Sequence, residues 1–192
     1  DRLLSIAQRS RVEVTALAGT YAQMARSTSD LGIGQDRLLR VTETLSKAIT
    51  MSGGSAQAAQ AAMVQLSQGL SAGALRGEEL NSILEQTPRV ARALSDGLGV
   101  GIGQLRAMGE AGELTAERVI QAFEKSAGAI DREFSKTEAT VSQSMTVLGN
   151  SVLDFIGELD RASGASASTA KEIMLIASAL DTVTRAIKRF TS

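Results

Sequence analysis

The chain has 192 residues and a formal net charge of −1, and it contains no histidine, cysteine or tryptophan. This composition excludes zinc sites built on cysteine or histidine, catalysis by a thiol or a Ser-His-Asp triad, and any disulfide framework. The near balance of 20 basic and 21 acidic residues gives no electrostatic footprint for nucleic acid or lipid. One tyrosine, four phenylalanines and one proline favour long, thinly packed helices over a deep core. We therefore expect an elongated all-α protein and no enzyme.

The N-terminal part carries three helical patterns. A heptad stripe of apolar positions runs through residues 3–31 and predicts one helix that ends at Gly32. A second helix is predicted over 35–51 and is expected to stop at Gly53 and Gly54, and Ser55 is expected to cap a third. The apolar faces predicted for these two helices are Leu38, Val41, Leu45 and Ile49, and then Ala59, Met63, Leu66 and Leu70.

Residues 75–115 show the pattern of short helices with explicit start and stop signals. The acids Glu78 and Glu79 favour a first helical turn, and Thr87–Pro88 pairs an N-cap with proline at the first helical position. Glycines at 97, 99, 101, 103, 109 and 112 predict turns between these helices. We expect a compact knot whose core contains Leu80, Leu84, Leu94 and Leu105.

The C-terminal part again predicts longer helices. Thr115 is expected to cap a helix whose apolar face carries Val119, Phe123, Ala127, Ile130 and Phe134. Ser135 and Glu138 have capping-box spacing and are expected to open a second heptad stripe over 141–162. A small-residue linker, 163–168, precedes a last helix with its own box at Thr169 and Glu172.

These patterns predict an all-α fold of long antiparallel helices with heptad stripes, which flank a compact knot of short helices. The predicted segments are a helical lead-in or stalk at 1–74, a compact short-helix core at 75–125 and a helical hairpin at 126–192. Because the chain opens on Asp1 without methionine, we expect it to be a fragment of a much larger chain.

Three strings of residues could suggest chemistry, and each has a simpler explanation. The glycine run 97–103 lacks the lysine of a P-loop, so a helix–helix turn is favoured. The SxxK string Ser168–Lys171 lacks the partner motifs of serine/lysine acyl enzymes and fits a helix cap. The acids Glu110, Glu113 and Glu117 lie near arginines and lack aromatic residues to line a sugar cleft. We predict no catalytic, cofactor-binding or metal residue.

Two binding modes are also disfavoured. The knot resembles a helix-turn-helix in outline, but acidic residues outnumber basic ones between 76 and 125, so sequence-specific binding of nucleic acid is not expected. The uncharged stretch 48–75 is long enough to span a bilayer, yet its glutamines, serines and paired glycines make it too polar to insert alone. Glycines 69, 73 and 77 at GxxxG spacing are expected to allow close helix–helix approach in water.

A set of spaced motifs between 51 and 123 resembles the tape measure domain of tail tape measure proteins from tailed phages and prophages. The motifs are the Ser52–Gly53 turn, QLSQ at 65–68, G-x-L-R-G-E-E-L at 73–80, E-Q-x-P at 85–88, L-G-V at 98–100 and G-E-x-G-x-L-T at 109–115. Residues 20–49 also look like the usual lead-in. One departure is Gly34, where such sequences often carry a serine-like cap, although glycine can serve there.

The resemblance implies a mostly helical structural protein that scaffolds polymerisation of tail tube subunits and sets tail length, with no catalytic residues in this domain. The implied partners are the tail tube protein, tail assembly chaperones and the tail tip or baseplate hub. The implied locations are the virion tail and, during assembly, the host cytoplasm. From the compact knot we expect this segment to act as an assembly or docking module, with self-association through the heptad helices. The alternatives are a membrane-active or wall-penetrating segment used at genome ejection and a generic coiled-coil interaction module.

Overall fold

The computed structural model describes residues 2–53 and 56–163, and their regular structure is helical, which confirms the all-α fold. In chain order the elements are α1 (Arg2–Ser10), α2 (Val14–Ser27), a 3₁₀ turn (Ser29–Leu31), α3 (Gln35–Ser52), α4 (Ala56–Ser71), α5 (Gly77–Gln86), α6 (Pro88–Leu98), α7 (Ile102–Glu110), α8 (Ala116–Phe134) and α9 (Val141–Ser163). Among the described residues, extended pairing is limited to an isolated bridge between Ala74 and Thr115. No described helix is both long and apolar enough to cross a membrane.

The chain divides into two compact units. Among the described residues, the terminal unit combines those up to Val14 with those from Ala139 onward, and the central unit comprises those of Thr15–Glu138. The division of the chain into segments 1–74, 75–125 and 126–192 stays a prediction.

The central unit is built around α8, which packs against α6 on one side and α3 on another. Its core draws fully buried side chains from every helix of the unit: Met24, Val41, Leu45, Leu66, Leu80, Ile83, Leu94, Leu105, Val119, Phe123 and Ile130. Phe123 is the largest of them and lies in the middle of α8. The core therefore extends well outside residues 75–115, where the sequence predicts the compact knot.

Most of the predicted core positions are buried. Leu80, Leu94 and Leu105 are fully buried, whereas Leu84 is only half-buried and Ile83 takes the inward position on α5. The predicted apolar face of α8 is also confirmed, with Ala127 as its one half-buried member. At the start of α8 the Thr115 hydroxyl accepts a hydrogen bond from the Arg118 N–H, so the predicted cap is present.

The predicted single helix over 3–31 is wrong, because it is broken between α1 and α2. Arg11 adopts a left-handed conformation with φ of 57°. The Arg11 N–H bonds to the Gln8 carbonyl and the Val12 N–H to the Ala7 carbonyl, which is the pattern of a Schellman C-cap. Glycine usually occupies the left-handed position of that cap, so a cap built on arginine carries no sequence signal. The predicted stop at Gly32 follows the 3₁₀ turn instead.

The predicted capping box at Ser135 and Glu138 is also wrong. Ser135 follows the end of α8, where its hydroxyl donates to the Arg132 carbonyl. The box that opens α9 is formed by Thr140 and Gln143. The Thr140 N–H donates to Gln143 Oε1 at 3.2 Å, and the Gln143 N–H donates to Thr140 Oγ1 at 3.1 Å.

The glycines have more varied roles than the predicted turns. Gly53 and Gly99 end α3 and α6 in left-handed conformations, as expected. Gly97, by contrast, lies inside α6 and packs against α8. Of the three glycines at GxxxG spacing, Gly69 packs closely on Leu75 and Gly73 forms a turn. The expected caps at Ser55 and Thr169–Glu172, and the SxxK string, lie outside the described residues.

Candidate interaction surfaces

The candidate acids do not form a shared site. Glu117 pairs with Arg37 on α3, and Glu113 lies 3.7 Å from Arg118. Within the described ranges no group of three acidic, histidine or cysteine side chains is placed to hold a metal ion. A shallow depression between α2 and α4 is lined by uncharged residues, namely Gln23, Ser27, Ser67, Gln68, Ser71 and Ala72. It brings together no acid, base or cation.

A line of ion pairs joins α3 to α8. The Arg37 guanidinium donates to the Glu124 carboxylate at 2.7 and 2.9 Å and to the Glu117 carboxylate at 2.8 and 3.4 Å. These bonds raise the pKa of Arg37, with Glu124 as the largest cause and Glu117 next. In turn, the bond from Arg37 lowers the pKa of Glu117. One cation thus holds two carboxylates that are spaced one heptad apart on α8.

A second set of ion pairs on the same two helices is centred on Lys47. Its ammonium lies 2.8 Å from Glu43 and 2.7 Å from Asp131, and 6.0 Å from the centre of the Phe134 ring. Only 9% of the Lys47 side chain is exposed, and its charge is compensated by these two carboxylates, of which Asp131 is 56% exposed. Because Arg37 faces 117–124 and Lys47 faces 131, α3 and α8 run in the same direction rather than antiparallel.

A third set of ion pairs joins α6 to α8. Arg89, at the start of α6, binds Glu133 through three hydrogen bonds of 2.7 to 3.0 Å, and Asp96 lies 3.8 Å away. At the other end of α6, Gly97 meets Ala122. These two contacts make α6 and α8 antiparallel. None of the three sets was predicted from the sequence, although the heptad spacing of Glu117, Glu124 and Asp131 was a signal for them.

The terminal unit buries a polar side chain of α9 and exposes apolar ones. Asn150 is 2% exposed, and its amide bonds to the backbone at Val12 and Val14. Leu148 and Phe155 are 42% and 56% exposed, and at 100° per residue they lie on the opposite side of the helix from Asn150. Both belong to the predicted heptad stripe. The members of this stripe whose side chains the structure describes are Met145, Leu148, Val152 and Phe155, which we call the α9 stripe.

Comparison with known proteins identifies a family to which the chain is similar. A family model described as "Tape measure protein" matches residues 1–161. No curated protein and no solved structure matches the chain. The matched region extends well beyond the motifs at 51–123, because it includes α1 to α3 on one side and nearly all of α9 on the other.

Proposed function

The chain belongs to the tape measure protein family, a family of structural components of phage tails, and we propose that it scaffolds assembly of the tail tube and helps to set tail length. The observation that carries this proposal is the family match over 161 residues. The all-helical architecture, held together by helix contacts and ion pairs, agrees with it.

Within that role, we propose that this segment is an assembly or docking module rather than part of a ruler, that is, an extended helix whose length sets the length of the tail. A ruler needs a chain with a constant rise, which a continuous helix supplies at about 1.5 Å per residue. The central unit instead folds six further helices and the greater part of α2 around one core, and three sets of ion pairs fix α3, α6 and α8 in register. Such packing favours a module that presents a defined surface.

The proposed partners are the tail tube protein, the tail assembly chaperones and the tail tip or baseplate hub. For the α9 stripe we propose a second copy of this chain. Its steps of four and three residues are those of a coiled coil, and a second copy supplies a helix with the same spacing. Sedimentation of Phe155→Ser should show fewer dimers than the unaltered chain, with Ser151→Ala, on the same helix, as the control.

Deletion of the codons for residues 15–138, in frame in the parent gene, tests the proposed module. If the module is needed for assembly, electron microscopy of lysates should show no tails. If the segment is ruler, tails should form but be shorter by roughly 190 Å, the helical rise times the number of deleted residues. Full-length tails that fail to infect would point to genome delivery and contradict the proposal.

A further inference from the structure

The break between α1 and α2 contains no helix-breaking residue. Residues 10–14 read Ser-Arg-Val-Glu-Val, without glycine or proline. The heptad stripe also continues through the break without a shift, from Ala7 and Ser10 to Val14 and Leu17. The local sequence therefore favours one continuous helix, and something outside residues 10–14 must stabilise the break.

Both α1 and α2 bury positions of the heptad stripe predicted over residues 3–31. In α1 the buried positions are Ile6, Ala7 and Ser10, and in α2 they are Leu17 and Met24. Four of these five residues follow the four-and-three spacing that a single helix would place on one face. Joining the two helices would thus keep their apolar positions in one register.

The broken form carries a conformational cost at Arg11. Its φ of 57° lies in the left-handed region, where a Cβ atom crowds the backbone. Arg11 is the one non-glycine residue with positive φ in the described part of the chain. A strained conformation of this kind persists only where surrounding contacts stabilise it.

Asn150 supplies two such contacts. Its amide Nδ2 donates to the Val12 carbonyl at 2.8 Å, and its Oδ1 accepts from the Val14 N–H at 3.3 Å. In a continuous helix, the Val14 N–H would bond to the Ser10 carbonyl and the Val12 carbonyl would accept from Ala16. Asn150 therefore replaces two of the helical partners that the break removes, one at the Val14 N–H and one at the Val12 carbonyl.

We propose that α1 and α2 form a two-state element, in which Asn150 holds the broken form and release of Asn150 allows one continuous helix from Arg2 to Ser27. That helix would be about 39 Å long. Its use, to extend the N-terminal part of the chain once the tail assembles around it, rests on the proposed function. The conformational change itself belongs to the isolated chain and can be tested without a tail.

Nuclear magnetic resonance of the full 192-residue chain tests the proposal through the Cα chemical shifts of Arg11, Val12 and Glu13. In Asn150→Ala these shifts should move to helical values, while Ser151→Ala, a control on the same helix, leaves them unchanged. Adding Arg11→Gly to Asn150→Ala should restore the broken pattern, because glycine adopts the left-handed conformation without the Cβ cost.

Two results would overturn the proposal. One is Asn150→Ala with residues 11–13 still in the broken pattern. The other is Asn150→Ala with random-coil shifts throughout residues 2–13, since release would then unfold α1 rather than join it to α2. Either result would leave the tail deletion experiment unaffected, so failure here is distinct from failure of the proposed function.

Discussion

Gly97 on α6 packs directly against the backbone of Ala122 on α8. A Cβ atom built at Gly97 would lie 2.0 Å from the Ala122 carbonyl oxygen and 2.6 Å from the Ala122 Cα. Arg89 and Glu133 meet at 2.7 Å at the other end of the same helix pair. Glycine is therefore required at 97 by the close approach of two helices, and this contact fixes how α6 lies on the central helix of the core.

We expect Gly97→Ala to destabilise the chain strongly. The added methyl group meets backbone atoms that cannot move aside without shifting α6 or α8, so the free energy of unfolding should fall by about 3 kcal/mol or more. Thermal or denaturant unfolding measures the change. Gly103→Ala is the matched control, because Gly103 lies in α7 with no atom within 4 Å of the added Cβ. Equal stability of the two variants would refute the close approach.

Arg37→Met should lower the free energy of unfolding by about 1 kcal/mol at pH 7, because the ion pairs are only partly buried. Folding lowers the pKa of Glu117 below its ordinary value of 4.5. The contribution of Glu117 to the free energy of unfolding is therefore complete above that value, and it is lost as the pH falls through the lowered pKa of the folded state. The difference between Arg37→Met and the unaltered chain should therefore shrink in acid.

Denaturant titrations from pH 7 down to about pH 3, below the ordinary pKa of a glutamate, would follow this difference. Arg118→Met is the control, because the Arg118–Glu113 pair is more than half exposed at both side chains. We expect it to have no measurable effect at any pH. A difference for Arg37→Met that stayed constant down to pH 3 would contradict the assignment to Glu117.

The leucines of the short helices should separate into two classes. Leu80, Leu94 and Leu105 are fully buried, so replacing any one of them by alanine should cost about 2–5 kcal/mol. Leu84→Ala should cost clearly less, since Leu84 is half-buried and the adjacent Ile83 fills the core position. Equilibrium unfolding of the four variants tests this order, and a Leu84→Ala cost equal to the others would show that α5 is rotated.

Gln143→Ala should loosen the first turns of α9, at a cost of about 1 kcal/mol, because it removes half of the box with Thr140. Amide hydrogen exchange should quicken over the first turns of α9. Ser135→Ala is the comparison, since the Ser135 hydroxyl bonds only to the end of α8. Faster exchange in α9 on changing Ser135, with none on changing Gln143, would favour the box predicted from sequence.

The sequence predicted what periodicity and local signals specify. The inward face of α8 around Phe123 follows from the spacing of its apolar residues. The cap at Thr115 and the left-handed stop at Gly53 each follow from the type of residue at the end of the helix. The close approach of Gly97 to Ala122 could not be predicted, because it joins two helices distant in sequence. For the same reason, the contacts of Asn150 with Val12 and Val14 could not be predicted from the local sequence.

Local signals also failed where two alternatives competed. Ser135 and Glu138 have the spacing of a capping box, but α8 runs to Phe134, and α9 starts only after Thr140. At Arg11 the helix ends without the glycine that usually marks such a cap. Both errors concern the ends of helices, while the helices themselves and their buried faces were largely predicted.

Electron microscopy of tails from phage that carry Gly97→Val in the parent gene tests the claim that the folded central unit is needed for tail assembly. A ruler of extended helix would tolerate this change, because it alters neither the number of residues nor their rise. We predict that Gly97→Val abolishes tails while Gly103→Val, the matched change at an open position, leaves them normal. Normal tails with Gly97→Val would contradict the claim.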